Sequence, residues 1–234
     1  MKLRVADLNS FYGPAHILFD IALEVDEGEV VALLGRNGAG KSTTFRSIVG
    51  LVAQRSGQIM FEDRDVSREP THAIVRGGLG YVPEERRIFT ELSVEENLAV
   101  GRQPPRSGAP TWTAERLYAL FPNLGALRHR PGGLMSGGEQ QMLAIARTLM
   151  GNPSLVMLDE PSEGLAPLIV EQMAAAIQAM KREGLTVLLS EQNLRFARLI
   201  SDRACIIEKG CIRYEGSMEE LERNPQVRDA YLAV

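Results

Sequence analysis

"EVVALLGRNGAGKST", Glu29 to Thr43, decides the reading of this chain. An apolar run leads into a glycine-rich turn that closes on Lys-Ser-Thr. Such runs read as strands buried on both faces, the pattern of a parallel sheet covered by helices. "GRNGAGKST", Gly35 to Thr43, fits G-x-x-x-x-G-K-[ST] between a strand and a helix, the context that motif requires. Its glycines let backbone amides approach phosphate oxygens closely. Gly35, Arg36, Asn37, Gly38, Ala39, Gly40, Lys41, Ser42 and Thr43 are therefore expected around the phosphates of a nucleotide. Lys41 supplies a point charge at the β/γ-phosphates, and the Ser42 hydroxyl reaches Mg²⁺.

The pattern repeats outward from this stretch. "LGYVPE" (Leu79–Glu84), "SLVMLDE" (Ser154–Glu160) and "LTVLLSE" (Leu185–Glu191) are further short apolar strands. Helical patterns are expected over Lys41–Val52, Thr113–Phe121, Ser136–Met150, Pro167–Arg182 and Gln192–Ser201. The alternation gives an α/β fold: a P-loop core with a mostly parallel sheet. "LRVADLNSFYG" and "HILFDIALEVDEGE" alternate apolar and polar residues instead, so an antiparallel β-subdomain is expected at the N-terminus. Val94 to Arg130 reads as helical, interrupted by the Pro/Gly/Ser loop Arg102–Pro110. "RACIIEKGCIRYEG" reads as a hairpin around Glu208-Lys209-Gly210. One domain is expected over 1–234, with an inserted helical lobe at about 85–150 and a C-terminal helix at about 217–234.

Composition narrows the function. The 234 residues are 44% hydrophobic and 24% charged with a net charge of −4, so no basic excess exists to neutralise nucleic acid, and no nucleic-acid partner is expected. The N-terminus lacks the apolar core of a signal peptide, and no run of about 18 apolar residues occurs, so any membrane span must come from another chain. Cys205 and Cys211, the two cysteines, are expected to be buried free thiols in a reducing, cytoplasmic compartment. His16, His72 and His129 lie in no motif and read as surface or packing residues.

Two further stretches carry chemistry. "SLVMLDE" ends an apolar strand on two carboxylates, at the strand end where parallel sheets gather ligands. Asp159 is the candidate to hold Mg²⁺ through water, and Glu160 the candidate general base. "LMSGGEQQMLAIAR" (Leu134–Arg147) opens a helix on a Ser-Gly-Gly turn, a second place where free amides favour an anion.

A P-loop, then a Ser-Gly-Gly helix start, then a strand ending Asp-Glu resembles the nucleotide-binding subunit of an ATP-binding cassette (ABC) transporter. "MSGGEQQ" is similar to that family's signature L-S-G-G-Q, with Met135 for Leu and Glu139 for Gln. "YVPEERRIFTELSVEENLAVG" (Tyr81–Gly101), "DEPSEGLAP" (Asp159–Pro167) and "SEQN" (Ser190–Asn193) resemble the branched-chain amino acid importers, and there the smaller of two ATP-binding subunits.

The resemblance implies ATP and Mg²⁺ as ligands and ATP hydrolysis as the activity. It implies a second ATP-binding subunit, identical or paralogous, paired head to tail so that each ATP is sandwiched. It also implies two transmembrane permease subunits, indirectly a solute-binding protein, and a peripheral place on the cytoplasmic face of the cell membrane. Ser136, Gly137, Gly138 and Glu139 would then meet the ATP held by the other subunit. Tyr12 falls where a family aromatic stacks on adenine, the alternative being an aromatic of the first sheet. Glu84 falls at the Q-loop position near Mg²⁺, the alternative being a solvated turn residue; Arg86 and Arg87 either contact a partner or are solvated.

Three positions depart from the family pattern: Glu84 replaces glutamine, Gln192 replaces a histidine, and Ala166 replaces the D-loop aspartate. Gln192 can donate to a γ-phosphate but cannot carry a proton, which strengthens Glu160 as the base. A cassette acting on ribosomes or DNA, and a module that binds ATP without hydrolysing it, are the alternative functions.

Overall fold

A computed structural model describes residues 1–232. β1 (Leu3–Tyr12) and β2 (Ala15–Val25) form an antiparallel hairpin, followed by β3 (Val30–Leu34), the P-loop and α1 (Lys41–Ile48). β4 (Gln54–Phe61), β5 (Arg64–Asp65), α2 (Thr71–Arg76) and β6 (Leu79–Val82) come next. The lobe carries α3 (Val94–Gly101), α4 (Ala114–Leu120), α5 (Pro122–Ala126) and α6 (Gly137–Leu149). β7 (Leu155–Asp159), α7 (Pro167–Arg182), β8 (Thr186–Glu191), α8 (Leu194–Ile200), β9 (Arg203–Glu208), β10 (Cys211–Ser217), α9 (Met218–Arg223) and α10 (Pro225–Tyr231) complete the chain.

The strands form two sheets, ordered β2-β1-β4-β5 and β10-β9-β3-β8-β7-β6. The first is antiparallel. The second is parallel from β9 to β6, with β10 added antiparallel at its edge. Alternate residues of the central strands enter different cores, which is why these strands read as continuous apolar runs. Val31 and Leu33 of β3, with Leu155 and Met157 of β7, pack beside α1 and the first sheet. Val30, Ala32 and Leu34, with Val156 and Leu158, pack toward α6, α7 and α8. Met142, Leu143, Ile145 and Leu149 of α6 are buried there at the expected helical spacing.

Several expectations need correction. The first sheet takes two further strands, β4 and β5, and α2 follows them; none carries a strong periodic signal. The first helix stops at Ile48 rather than Val52, where Gly50 adopts φ +79°. The strand expected over Leu79–Glu84 ends at Val82, before Pro83, which has no N–H for a ladder bond. The helix expected from Gln192 starts at Leu194, because the Asn193 side chain accepts from the Phe196 amide and caps it. The C-terminal helix expected over 217–234 is two short helices, because Pro225 cannot continue α9 and starts α10 instead; residues 233–234 of that expectation lie outside the described residues.

Cys205 is buried and its thiol is pushed up to about 12 by burial, but Cys211 on the edge strand is only half-buried. His16 stacks on Phe11, with centroids 4.1 Å apart, and lies against Phe19; His72 and His129 are exposed. Among the described residues no helix is long and apolar enough to cross a membrane.

Candidate active site

The C-terminal ends of β3, β7 and β8 place the site. β3 runs into the P-loop, whose turn is closed by Gly40 at φ +116°. A side chain there would be strained by the backbone angle, and its Cβ would sit 2.9 Å from Leu18 Cδ2. Thr44 donates its amide to Gly40 O at 2.9 Å, so α1 begins directly from the loop.

Lys41, the first residue of α1, folds back over the loop. Its Nζ donates to Gly35 O at 2.8 Å and Arg36 O at 3.1 Å, and pairs with Glu160 Oε1 at 2.9 Å. Both side chains are buried, 3% and 5% exposed. The other carboxylate oxygen, Glu160 Oε2, is buried with no hydrogen-bond partner among the described residues, an unused acceptor in a residue that lines the cleft over the P-loop. Glu160 sits in the left-handed region, φ +47°, a conformation that costs a non-glycine residue roughly 1–3 kcal/mol. Its amide is fixed by both Ser190 O and Ser190 Oγ, each at 3.1 Å.

Asp159, the last residue of β7, is fully buried. Its Oδ1 accepts from Ser42 Oγ at 3.1 Å and Ser190 Oγ at 2.6 Å, and its Oδ2 from the Tyr81 hydroxyl at 3.2 Å. Burial raises the Asp159 carboxyl above the usual aspartate range, opposed by those three donors and helped by the charge of Glu160. The Asp159 carboxylate and Ser42 hydroxyl are hard oxygen donors side by side. That set fits Mg²⁺, which keeps several waters and takes one or two carboxylates plus substrate phosphates. A full protein cage is not required, and no group of three or more His, Cys, Asp or Glu able to hold a metal occurs among the described residues.

A cleft of about 280 Å³ opens over these groups, lined by Asn37, Gly38, Gly40, Lys41, Ser42, Thr43, Glu84, Glu160 and Glu163. Glu84 therefore faces the same space as the P-loop. Its carboxyl is raised by partial desolvation and by the charges of Glu160 and Asp159. Glu163, which the sequence reading passed over, is raised by desolvation and by its contact with Glu160.

Other expected site residues lie elsewhere. Tyr12, 46% exposed at the end of β1, does not line the cleft but reaches Arg46 of α1. Arg46 also lies beside Tyr81 and pairs with Glu85 at 3.0 Å, so one guanidinium sits between the Tyr12 strand end and the loop carrying Glu84. Gln192 is exposed and does not line the cleft.

Ser136, Gly137, Gly138 and Glu139 also lie outside the cleft of their own chain. Ser136 caps α6, and its amide and hydroxyl both donate to the Glu139 carboxylate, at 2.7 and 2.8 Å. The Glu139 side chain is thus engaged in a capping box through its Oε2. Gly138 is buried under Ile169, and a Cβ there would meet Ile169 Cγ2 at 2.8 Å; its small size serves packing. The exposed Ser136 and half-buried Gly137 remain presentable to another molecule.

The sequence reading also missed Tyr81, Ser190, Arg46 and Glu191. Ser190 was within reach, since it lies next to the end of β8, the strand beside β7, and pairs in register with Asp159. Arg46 and Tyr81 meet only through packing, and no spacing rule joins them.

The family model described as "ABC transporter" matches residues 18–163. Over 225 residues the chain is 44% identical to the high-affinity branched-chain amino acid transport ATP-binding protein BraG of Pseudomonas aeruginosa, covering 96% of this chain and 97% of BraG. Over 232 residues it is 36% identical to the lipopolysaccharide export system ATP-binding protein LptB of Escherichia coli, covering 98% and 96%. Among solved structures, a nucleotide-free ATP-binding cassette from an ABC transporter superposes with a TM-score of 0.82 at 25% identity, covering 97% of this chain and 96% of that one. The ADP conformation of MJ1267, an ATP-binding cassette of an ABC transporter, gives 0.79 at 26% identity, covering 95% and 93%.

Proposed function

This chain belongs to the ABC transporter family, and on that premise we propose that it energises import of branched-chain amino acids. It is an ATPase subunit that works in pairs and with transmembrane permease components. The observation that carries the catalytic reading is the convergence of Lys41, Ser42, Asp159 and Glu160 on one cleft at the ends of adjacent parallel strands.

In this reading the P-loop amides and Lys41 hold the triphosphate, while Asp159 and Ser42 hold Mg²⁺. Held there, Mg²⁺ would supply positive charge to offset the negative charge that develops on phosphoryl transfer. Lys41 exchanges Glu160 for a phosphate oxygen, which frees both Glu160 oxygens. Glu160 then orients a water and takes its proton as the water attacks in line. Ser136 and Gly137 close the site from a second subunit, identical or paralogous, because they cannot reach it in their own chain. Tyr12 borders the adenine, Glu84 reports on the metal site, and Gln192 donates to the γ-phosphate on closure.

A groove of about 380 Å³ between core and lobe supports docking of a membrane subunit. Its lining includes the exposed Val75, Phe89 and Val100, with Arg147 stacked over Phe89 at 4.9 Å. One loop runs from Glu84 at the cleft to Phe89 at the groove, a short path between hydrolysis and the membrane partner. The working place is then the cytoplasmic face of the cell membrane, served indirectly by a solute-binding protein.

Deleting this chain should abolish uptake of labelled leucine, isoleucine and valine, and a mild-detergent pull-down should recover two permease subunits. The 36% identity to LptB favours a second reading, export of a lipid-linked glycan. Intact amino acid uptake together with an envelope defect in the deletion strain would establish that reading and exclude the first.

A further inference from the structure

Glu191 is the residue of "SEQN" that the roles above leave unused, and it is among the most enclosed charges in the chain, 1% exposed. Three loops of the site meet on it. Its Oε1 accepts the Ser162 amide at 3.0 Å, two residues beyond Glu160. Its Oε2 accepts the Asn193 amide at 3.2 Å, one residue beyond Gln192. Its main-chain oxygen accepts the Gly35 amide at 3.2 Å, the first residue of the P-loop. Both side-chain oxygens face N–H donors, and no Lys or Arg pairs with the carboxylate among the described residues. A buried carboxylate held by neutral donors, with no cation opposite it, is costly as a way to stabilise a fold. Here its two acceptors span the segment after Glu160 and the segment after Gln192, beside the Ser190 Oγ that fixes the Glu160 amide itself.

We propose that Glu191 is a positioning residue for ATP hydrolysis: its carboxylate ties the turn carrying Glu160 to the turn carrying Gln192, so that both approach the γ-phosphate together. This rests on the reading of Glu160 as the base. The chemistry demands an acceptor at both oxygens. A glutamine has the same shape but presents an NH₂ to one of the two amides, donor against donor, and releases one loop. An aspartate keeps the charge but is one methylene too short to reach both. Burial, with a smaller push from the Glu160 charge, raises the Glu191 carboxyl to about 7, partly offset by the Ser162 side chain and by the Ser162 and Asn193 amides.

The test is phosphate release by the full chain with Mg-ATP, comparing Glu191→Gln, Glu191→Asp and Glu160→Gln. Both Glu191 variants should lose about 10- to 100-fold in kcat, the scale of a misplaced catalytic group, with nucleotide affinity within about twofold of the parent. Neither should rescue the other. Parent-like kcat in a folded Glu191→Gln chain, with Glu160→Gln inactive, overturns the positioning role alone. Parent-like kcat in Glu160→Gln overturns the reading of the base and this proposal with it. If Glu191→Gln does not fold, the charge-retaining Glu191→Asp decides: parent-like kcat overturns the role, and a loss confined to kcat supports it.

Discussion

Lys41 Nζ lies 2.9 Å from Glu160 Oε1, and both side chains are almost wholly buried. The lysine that is proposed to hold phosphate and the glutamate that is proposed to activate water are therefore partners. Each holds the other in place, and each leaves a buried charge behind if it is removed.

The pair separates binding from chemistry. Glu160→Gln keeps a hydrogen-bonding side chain opposite Lys41 but removes the base. It should retain Mg-ATP binding and lose roughly 10²-fold or more in hydrolysis. Near-parent turnover in single-turnover and steady-state assays would contradict the assignment.

Lys41→Ala should weaken Mg-ATP binding and also destabilise the fold. Stranding a buried carboxylate by removing its partner costs about 3–5 kcal/mol. Chemical denaturation of Lys41→Ala and of the Lys41→Ala/Glu160→Gln double variant checks this. The double variant should recover part of the lost stability without recovering nucleotide affinity. Equal stabilities for the two would mean the ion pair contributes little.

The core of this fold was legible in the sequence because burial on both faces writes itself as unbroken apolar runs. β3, β7 and β8 are such runs, and Lys41, Asp159 and Glu160 follow from their ends. β4 was not legible: its first five residues, "QRSGQ", are four polar residues and a glycine, and its strand character comes from pairing with β1. Glu191 was visible as a letter but not as a function, because its partners are the amides of Ser162 and Asn193, and backbone donors have no sequence signature. The Glu139 side chain has a second role that the motif reading did not name. A Ser-x-x-Glu spacing at a helix start is also the capping-box signal, and the cap takes that carboxylate.

Ser136→Arg should spare Mg-ATP binding to the single chain and abolish hydrolysis, since Ser136 lies outside its own cleft and is proposed to close a partner's. Loss of the cap should also lower stability by about 1 kcal/mol. Ser136→Ala shares the cap loss but adds no bulk, so it serves as the control. Nucleotide titration and phosphate release on both variants separate the effects. Reduced single-chain affinity in Ser136→Arg alone would place the residue in its own site instead.

Stability should fall as pH rises through the range between the ordinary glutamate value of 4.5 and the Glu191 value of about 7. The folded chain holds this proton more tightly than the unfolded chain. Folding is therefore favoured below about 4.5, and that share is lost as Glu191 ionises in place. A shift of this size corresponds to about 3 kcal/mol. Asp159, Glu84 and Glu163 are raised too, so they add to the same slope. Glu191→Gln should flatten the decline in melting temperature between pH 5 and pH 8 without removing it. An unchanged slope would mean that Glu191 does not titrate in this window.

Ser190 offers the narrowest test of how the two carboxylates are held. Its Oγ donates to Asp159 Oδ1 at 2.6 Å and accepts the Glu160 amide at 3.1 Å, so one hydroxyl serves both neighbours. In Ser190→Ala the Glu160 amide keeps its bond to Ser190 O, but Asp159 loses its shortest donor while Ser42 and Tyr81 remain. Fold stability should drop by only about 1 kcal/mol, the net worth of one such bond. Hydrolysis should suffer more, because Asp159 is then freer to turn away from Ser42. At saturating ATP the Mg²⁺ concentration for half-maximal rate should rise several-fold. Ser190→Thr keeps the hydroxyl and should restore most of the Mg²⁺ response. An unchanged Mg²⁺ requirement in Ser190→Ala would show that Ser42 and Tyr81 suffice to orient Asp159.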